Sequence, residues 1–247
     1  MLRQIANLRL FGRLRTKAPT PRIRQPKLLR GRPDLQISSV LPLVLAHYGR
    51  ADENFFFVQI GAFDGQVNDP LYELVRGHRW RGVLVEPQPG AFERLKRNYH
   101  GQVGLQFFNV AIGAQDGEIT LYTRAGGDVE VASTQRQLLV KPGHRRGSVV
   151  SRRVPCWTVG TLLERAGGRT DVDLLQIDAE GCDYQIIRAL DFAKVKPTVI
   201  RFEHAILSSR DRNACLALLA EQGYRFLLED VDTTAILSRA SSDAAAA

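Results

Sequence analysis

Phe55-Phe56-Phe57-Val58-Gln59-Ile60-Gly61-Ala62-Phe63-Asp64-Gly65 joins a continuous apolar run to a glycine-containing turn. The run reads as a buried strand and the turn as the loop it feeds. Working outward, Pro70 to Gly77 carries a helical pattern, Gly82 to Val85 a second short strand, and Gly90 to about Tyr99 a helix that turns Phe92 and Leu95 inward. Strands are expected at Leu105 to Val110, Glu118 to Thr123, Leu174 to Ile177 and Thr198 to Phe202, with helices at Val159 to Ala166, Tyr184 to Leu190 and Ala214 to Gln222. Tyr224 to Leu228 and Thr234 to Leu237 form a closing hairpin. Such alternation specifies an α/β fold, a mainly parallel sheet with helices on both faces. Tyr184 and Trp157 sit in apolar patterns and read as core.

The chain has 247 residues, enough for one large domain with an appendage. Its net charge of +8 is unevenly spread: residues 1–32 hold ten Lys and Arg and no acid, leaving 24 basic against 26 acidic residues. The basicity therefore belongs to an amino-terminal arm, 1–33, and not to the body, 34–240. In the arm Leu2, Ile5, Leu8, Phe11 and Leu14 recur every three residues, a spacing that spirals around a helix instead of forming one stripe. The arm is read as mobile and solvated, the alternative being a peripheral contact with a membrane surface. Residues 124–150, rich in Gly, Arg, Lys and Ser, are read as an insertion or lid, and 241–247 as a disordered tail. Cys156, Cys182 and Cys215 form no disulfide or zinc pattern and fit a reducing cytoplasm, and no apolar stretch approaches the ~20 residues of a membrane-spanning helix.

In open parallel sheets ligands bind beyond the carboxyl ends of the strands. Unusual polar residues gather there: Gly61 to Gly65 after the first strand, Glu86 after the second, Asn109 after the third, Asp178-Ala179-Glu180-Gly181 after the fourth and Glu203-His204 after the fifth. Gly61 and Gly65 permit close backbone approach. Glu86, 21 residues after Gly65, stands where nucleotide-binding folds place an acid for a ribose diol. The dinucleotide pattern G-x-G-x-x-G is not met, because Phe63 occupies the place of its second glycine and Asp64 adds negative charge where phosphates would sit. A cationic sulfonium cofactor without phosphate suits that turn better than a nicotinamide dinucleotide.

VQIGAFDG, VLVEPQPGAFERLKRNY, NVAIGAQDGEITLY, VDLLQIDAEGCDYQIIRAL and PTVIRFEH together resemble the FkbM-type methyltransferases dependent on S-adenosylmethionine (SAM), over roughly Phe55 to Ser238. The resemblance implies a class I methyltransferase fold, Rossmann-like, with seven strands in the order 3-2-1-4-5-7-6. It also implies methyl transfer to an oxygen of a sugar, glycolipid or secondary metabolite. On the family pattern Gly61, Ala62, Asp64 and Gly65 surround the methionine part of SAM, Glu86 holds its ribose, and Asn109 borders the same site. The chain departs from the family at Gln59, where many members have Asp, so Asp64 is the acid left to meet the cofactor's amino group.

Methyl transfer to an alcohol asks mainly for in-line placement, helped by a base that takes the hydroxyl proton. The implied strand order puts Asp178 beside the donor and Glu203 and His204 one strand further, making these three the catalytic candidates. A second use of the carboxylates is a hard cation such as Mg²⁺ held by Asp178, Glu180 and Glu203. Two other function classes remain at this level: a nucleic-acid methyltransferase gripping phosphates with its arm, and a non-catalytic, membrane-associated SAM-binding protein. The slightly acidic body argues against the first.

Overall fold

The computed structural model describes residues 40–48, 54–124, 132–139 and 149–238. The basic arm, the terminal tail and most of the stretch read as a lid lie outside the described residues. In chain order the elements are α1 (Leu41–Tyr48), β1 (Phe56–Ile60), α2 (Tyr72–His78), β2 (Arg81–Val85), α3 (Pro89–Asn98), β3 (Leu105–Phe108), β4 (Ala111–Ile112), β5 (Gly117–Arg124), β6 (Val149–Trp157), α4 (Val159–Arg165), β7 (Leu174–Ile177), α5 (Asp183–Arg188), β8 (Val199–Glu203), α6 (Ser209–Glu221), β9 (Tyr224–Leu228) and β10 (Asp232–Leu237).

Seven strands form one sheet in the order β3-β2-β1-β7-β8-β10-β9. The pairings from β3 to β8 are parallel, and β10 runs antiparallel to both β8 and β9. This is the order 3-2-1-4-5-7-6. Because the sheet is covered on both faces, successive side chains of β1 enter different cores. Phe56, Val58 and Ile60 pack with Leu162, Ile186 and Leu219 from α4, α5 and α6. Phe55 and Phe57 pack with Leu41, Val75 and Leu95 from α1, α2 and α3. Both faces demand apolar residues, which is why the strand reads as an apolar run interrupted only at Gln59.

Five elements differ from the expected pattern. The strand at Glu118 to Thr123 lies outside the main sheet: β5 joins β4 and β6 in a separate three-stranded sheet, β4-β6-β5. The expected strand Leu105 to Val110 is cut at Phe108, and the chain passes into that second sheet at Ala111. Two elements were not read at all. β6 contains Pro155 and buries only Val154 and Cys156, so it lacks a strand signature, yet β5 pairs with it over eight residues. In α1 the run Leu41-Pro42-Leu43-Val44-Leu45 hides the helical period, although Leu41, Val44 and Leu45 are the residues that bury. Helix α6 starts five residues before the expected Ala214, at a cap in which Ser208 Oγ accepts from Asp211 N at 3.0 Å.

Candidate functional site

The turn after β1 is tied to its neighbours through the main chain. Gly61 N and Ala62 N both donate to Val85 O at 3.0 Å, and Asp178 N donates to Ile60 O at 2.9 Å. Gly61 has φ +77°, and a Cβ there would lie 1.9 Å from the carbonyl oxygen of Asp178. The ends of β1, β2 and β7 are thereby drawn together. The cleft they open, of about 220 Å³, is bordered by Gly61, Ala62, Glu86, Asp69, Asp178 and Glu180, among others. Leu121 of β5, with Ala132 and Thr134, closes its far side.

Glu86 is 3% exposed at the end of β2. Its Oε2 accepts from Phe63 N at 2.9 Å and its Oε1 from Gln88 N at 2.8 Å. A buried carboxylate oriented by two backbone donors at the wall of the cleft is an acceptor of the kind a ribose diol requires. Asn109 does not line the cleft: its Nδ2 donates to Glu86 O at 2.7 Å and holds that residue's main chain.

Asp64 and Gly65 serve the turn and the core. Asp64 Oδ1 accepts from Gln66 N at 3.0 Å and Val67 N at 2.9 Å, capping the turn, and neither Asp64 nor Gly65 borders the cleft. Gly65 lets α3 approach, since a Cβ there would meet Leu95 Cδ1 at 2.4 Å and Tyr99 Cε2 at 2.7 Å. The acid that does reach the cleft from this loop is Asp69. Its Oδ1 accepts from Leu71 N at 2.6 Å and its Oδ2 from Gln59 Nε2 at 3.0 Å. Burial raises its carboxyl above the ordinary range, partly offset by those hydrogen bonds.

A polar row crosses the sheet where the rows before it are apolar. Gln59 on β1 aligns with Gln176 on β7, Gln176 with Arg201 on β8, and Arg201 with Thr234 on β10. These side chains are 3%, 3%, 7% and 0% exposed. Gln176 Oε1 accepts from Arg201 Nη1 at 3.5 Å, and Arg201 pairs with Asp232 and, at 3.6 Å, with Glu229. Gln176 and Arg201 form part of a second opening, about 240 Å³, which also has Asn68, Asp178, Glu180, Glu203 and Asp232 on its walls. The two clefts share Asn68, Pro70, Gln176, Asp178 and Glu180.

Asp178 stands at that junction. Its side chain is exposed to the open cleft on one side while protein surrounds the others; partial loss of hydration on the enclosed sides, with Asp232 adding repulsion against the pull of Arg201, raises its carboxyl to about 6. It caps no helix: α5 has Cys182 at its N-cap, and Asp183 performs the nearby backbone bonding. Asp183 Oδ2 accepts from Gly181 N at 3.3 Å and Oδ1 from Glu203 N at 3.2 Å, binding the β7 loop to the end of β8. Complete burial, followed by the charge of Asp178, holds the Asp183 carboxyl well above its usual range. Ser133 Oγ donates to Glu180 O at 2.8 Å and Gln135 Nε2 to Gly181 O at 3.0 Å, gripping the same loop from outside.

His204 lies on the far side of this group and lines neither cleft. Its main-chain N–H donates to Val231 O at 2.9 Å, its ring Nδ1 sits 3.0 Å from Thr233 Oγ1, and burial lowers its pKa. Trp157 and Tyr184 are partly buried against the core and also stay out of both clefts. Among the described residues no group of three or more His, Cys, Asp or Glu side chains is arranged to hold a metal ion. Asp178, Glu180 and Glu203 share a cleft wall without forming a cation cage. Sequence reasoning missed Gln176, Arg201, Asp69, Asp183 and Asp232. The available signal was a polar residue in an apolar strand, in LLQI and VIRFE, at the position that FVQI also makes polar.

Strand order, glycine turn and the acid closing β2 define the class I methyltransferase fold. The chain belongs to the methyltransferase FkbM domain family, whose profile matches residues 59–226. The crystal structure of methyltransferase FkbM from Methylobacillus flagellatus KT superposes with a TM-score of 0.50 at 13% identity, covering 74% of this chain and 44% of that one. The chain thus spans less than half of that relative, and the likeness concerns the fold alone. Precorrin-6y C5,15-methyltransferase from Geobacter metallireducens GS-15 gives 0.41 at 14% identity, covering 81% and 90%, and the METTL16 MTase domain 0.45 at 10%, covering 79% and 64%. No curated protein sequence matches the chain significantly. Among the described residues no helix is long and apolar enough to cross a membrane.

Proposed function

We propose that this protein transfers a methyl group from SAM to a hydroxyl of a sugar, glycolipid or secondary metabolite. The observation that carries the reading is the charge of the first cleft. Its described lining includes Asp69, Glu86, Asp178 and Glu180 and no Lys, Arg or His. Such a wall opposes the pyrophosphate of a dinucleotide and favours a ligand with cationic centres and a diol. Glu86 would receive the ribose, with Gly61 and Ala62 lying against the ligand as the resemblance implies.

SAM, when bound, supplies a methyl carbon made electrophilic by its sulfonium. The chain's part is to orient the acceptor in the second cleft and remove its proton. Asp178 has the position for that step, bordering both clefts, and a carboxyl at about 6 is mostly ionised at neutral pH yet more basic than an ordinary aspartate. Glu203, on the wall of the second cleft, would accept hydrogen bonds from other acceptor hydroxyls. Arg201 is already neutralised by Asp232 and Glu229, which leaves little attraction for a phosphate acceptor and disfavours nucleic acid. His204 has a supporting part, tying the end of β8 to the β9–β10 turn.

The test is a screen of sugars, glycolipids and small polyols with SAM as donor, the product's methyl position being read by NMR. An O-methyl product supports the reading. Methylation only at nitrogen or carbon overturns the proposed acceptor.

A further inference from the structure

Gln59 Oε1 lies buried at the wall of the first cleft and accepts no hydrogen bond within the protein. Its orientation is fixed by chemistry, because the amide nitrogen donates to Asp69 Oδ2 at 3.0 Å and a flipped amide would set oxygen against carboxylate. An unpaired buried carbonyl is destabilising unless a ligand supplies the missing donor. Directly beside it, Asp69 brings a carboxylate to the cleft wall, held in place by hydrogen bonds from the Leu71 and Tyr72 backbone and from Gln59. A neutral acceptor next to an anion, with no cation lining the cleft, is a receptor for a positively charged N–H donor.

We infer that Gln59 and Asp69 together bind the α-ammonium group at the methionine end of SAM, the anion coming from Asp69 on the loop after β1 and not from the turn residue Asp64. The other acids of the cleft are placed for different tasks. Glu86 holds the backbone of its own loop and the Phe63 turn, Asp178 stands at the junction of the two clefts, and Glu180 sits on the turn gripped by Ser133. Asp64 spends Oδ1 on Gln66 N and Val67 N and stays out of the cleft. The division of labour also accounts for a neutral residue at position 59: the register row it belongs to continues through Gln176 to Arg201, and Asp69 delivers charge from above that row.

The inference rests on the SAM reading, and its test separates the two. S-adenosylhomocysteine carries the α-ammonium group, whereas 5′-methylthioadenosine keeps the nucleoside and lacks the amino-acid end. Calorimetric titration of the full chain should show tighter binding of S-adenosylhomocysteine. Asp69→Asn, which retains an acceptor for Leu71 N, and Gln59→Leu should each weaken S-adenosylhomocysteine by about tenfold or more, while methylthioadenosine affinity stays within about twofold. Unchanged S-adenosylhomocysteine affinity in both variants overturns the receptor, as does an equal loss for both ligands. Wild-type protein that binds neither compound overturns the SAM reading and the receptor with it.

Discussion

The main-chain oxygen of Asp178 occupies the space that a Cβ at Gly61 would need, 1.9 Å away. The donor turn and the candidate base are therefore in backbone contact, and neither shifts without the other. Gly61→Ala adds a methyl against backbone at a positive φ. It should destabilise the fold by about 2–5 kcal/mol and abolish S-adenosylhomocysteine binding, checked by thermal melting and titration. A variant that melts and binds like the parent would show that the turn yields freely.

Glu86 closes β2 with both carboxylate oxygens held by backbone donors. Removing it deprives the ligand of an acceptor and takes away the carboxylate to which Phe63 N and Gln88 N donate. Glu86→Ala should weaken S-adenosylhomocysteine by about tenfold or more and also lower the melting temperature. Affinity within twofold of wild type would place the ribose elsewhere.

Asp178 should be visible in the pH profile. A base works deprotonated, so kcat/KM, which reports the free enzyme, should rise as pH passes about 6 and level off above it. Asp178→Asn should lower kcat by ~10²–10⁴-fold with S-adenosylhomocysteine affinity nearly unchanged. Asp232→Asn removes a neighbouring anion and frees the charge of Arg201. Both changes favour ionised Asp178, so the rise should move to lower pH. A profile insensitive to Asp232 would assign the titration to another group.

Asp183 is a structural acid beneath the site. Asp183→Ala leaves Gly181 N and Glu203 N without their acceptor and should cost about 2–4 kcal/mol. Its raised carboxyl contributes most while protonated: the folded form binds a proton that the unfolded chain releases above pH ~4, so that contribution falls as pH rises. Denaturant titrations at several pH values should show a larger gap between wild type and variant at the acidic end.

The sheet was legible because strands covered on both faces are largely apolar, as Phe55 to Ile60 is apart from Gln59, and because Glu86 and Asp178 follow such runs directly. The site was legible only to that depth. Asp64 lies in the motif and Asp69 outside it, yet backbone geometry spends the first on capping the turn and carries the second to the cleft. Gln176 and Arg201 become partners only through a register that no local pattern specifies. β6 escaped notice since its pairing is made by backbone atoms while its side chains, apart from Val154 and Cys156, face outward or sit half-buried.

The proposed methyl transfer depends on the acid-lined cleft beyond β1, β2 and β7 binding SAM. Calorimetric titration of the wild-type chain with S-adenosylhomocysteine, in parallel with NAD, tests it most directly. S-adenosylhomocysteine should bind saturably at one site per chain, and NAD should not bind at comparable concentrations. No binding of S-adenosylhomocysteine, or NAD binding of equal strength, would contradict SAM binding in this cleft.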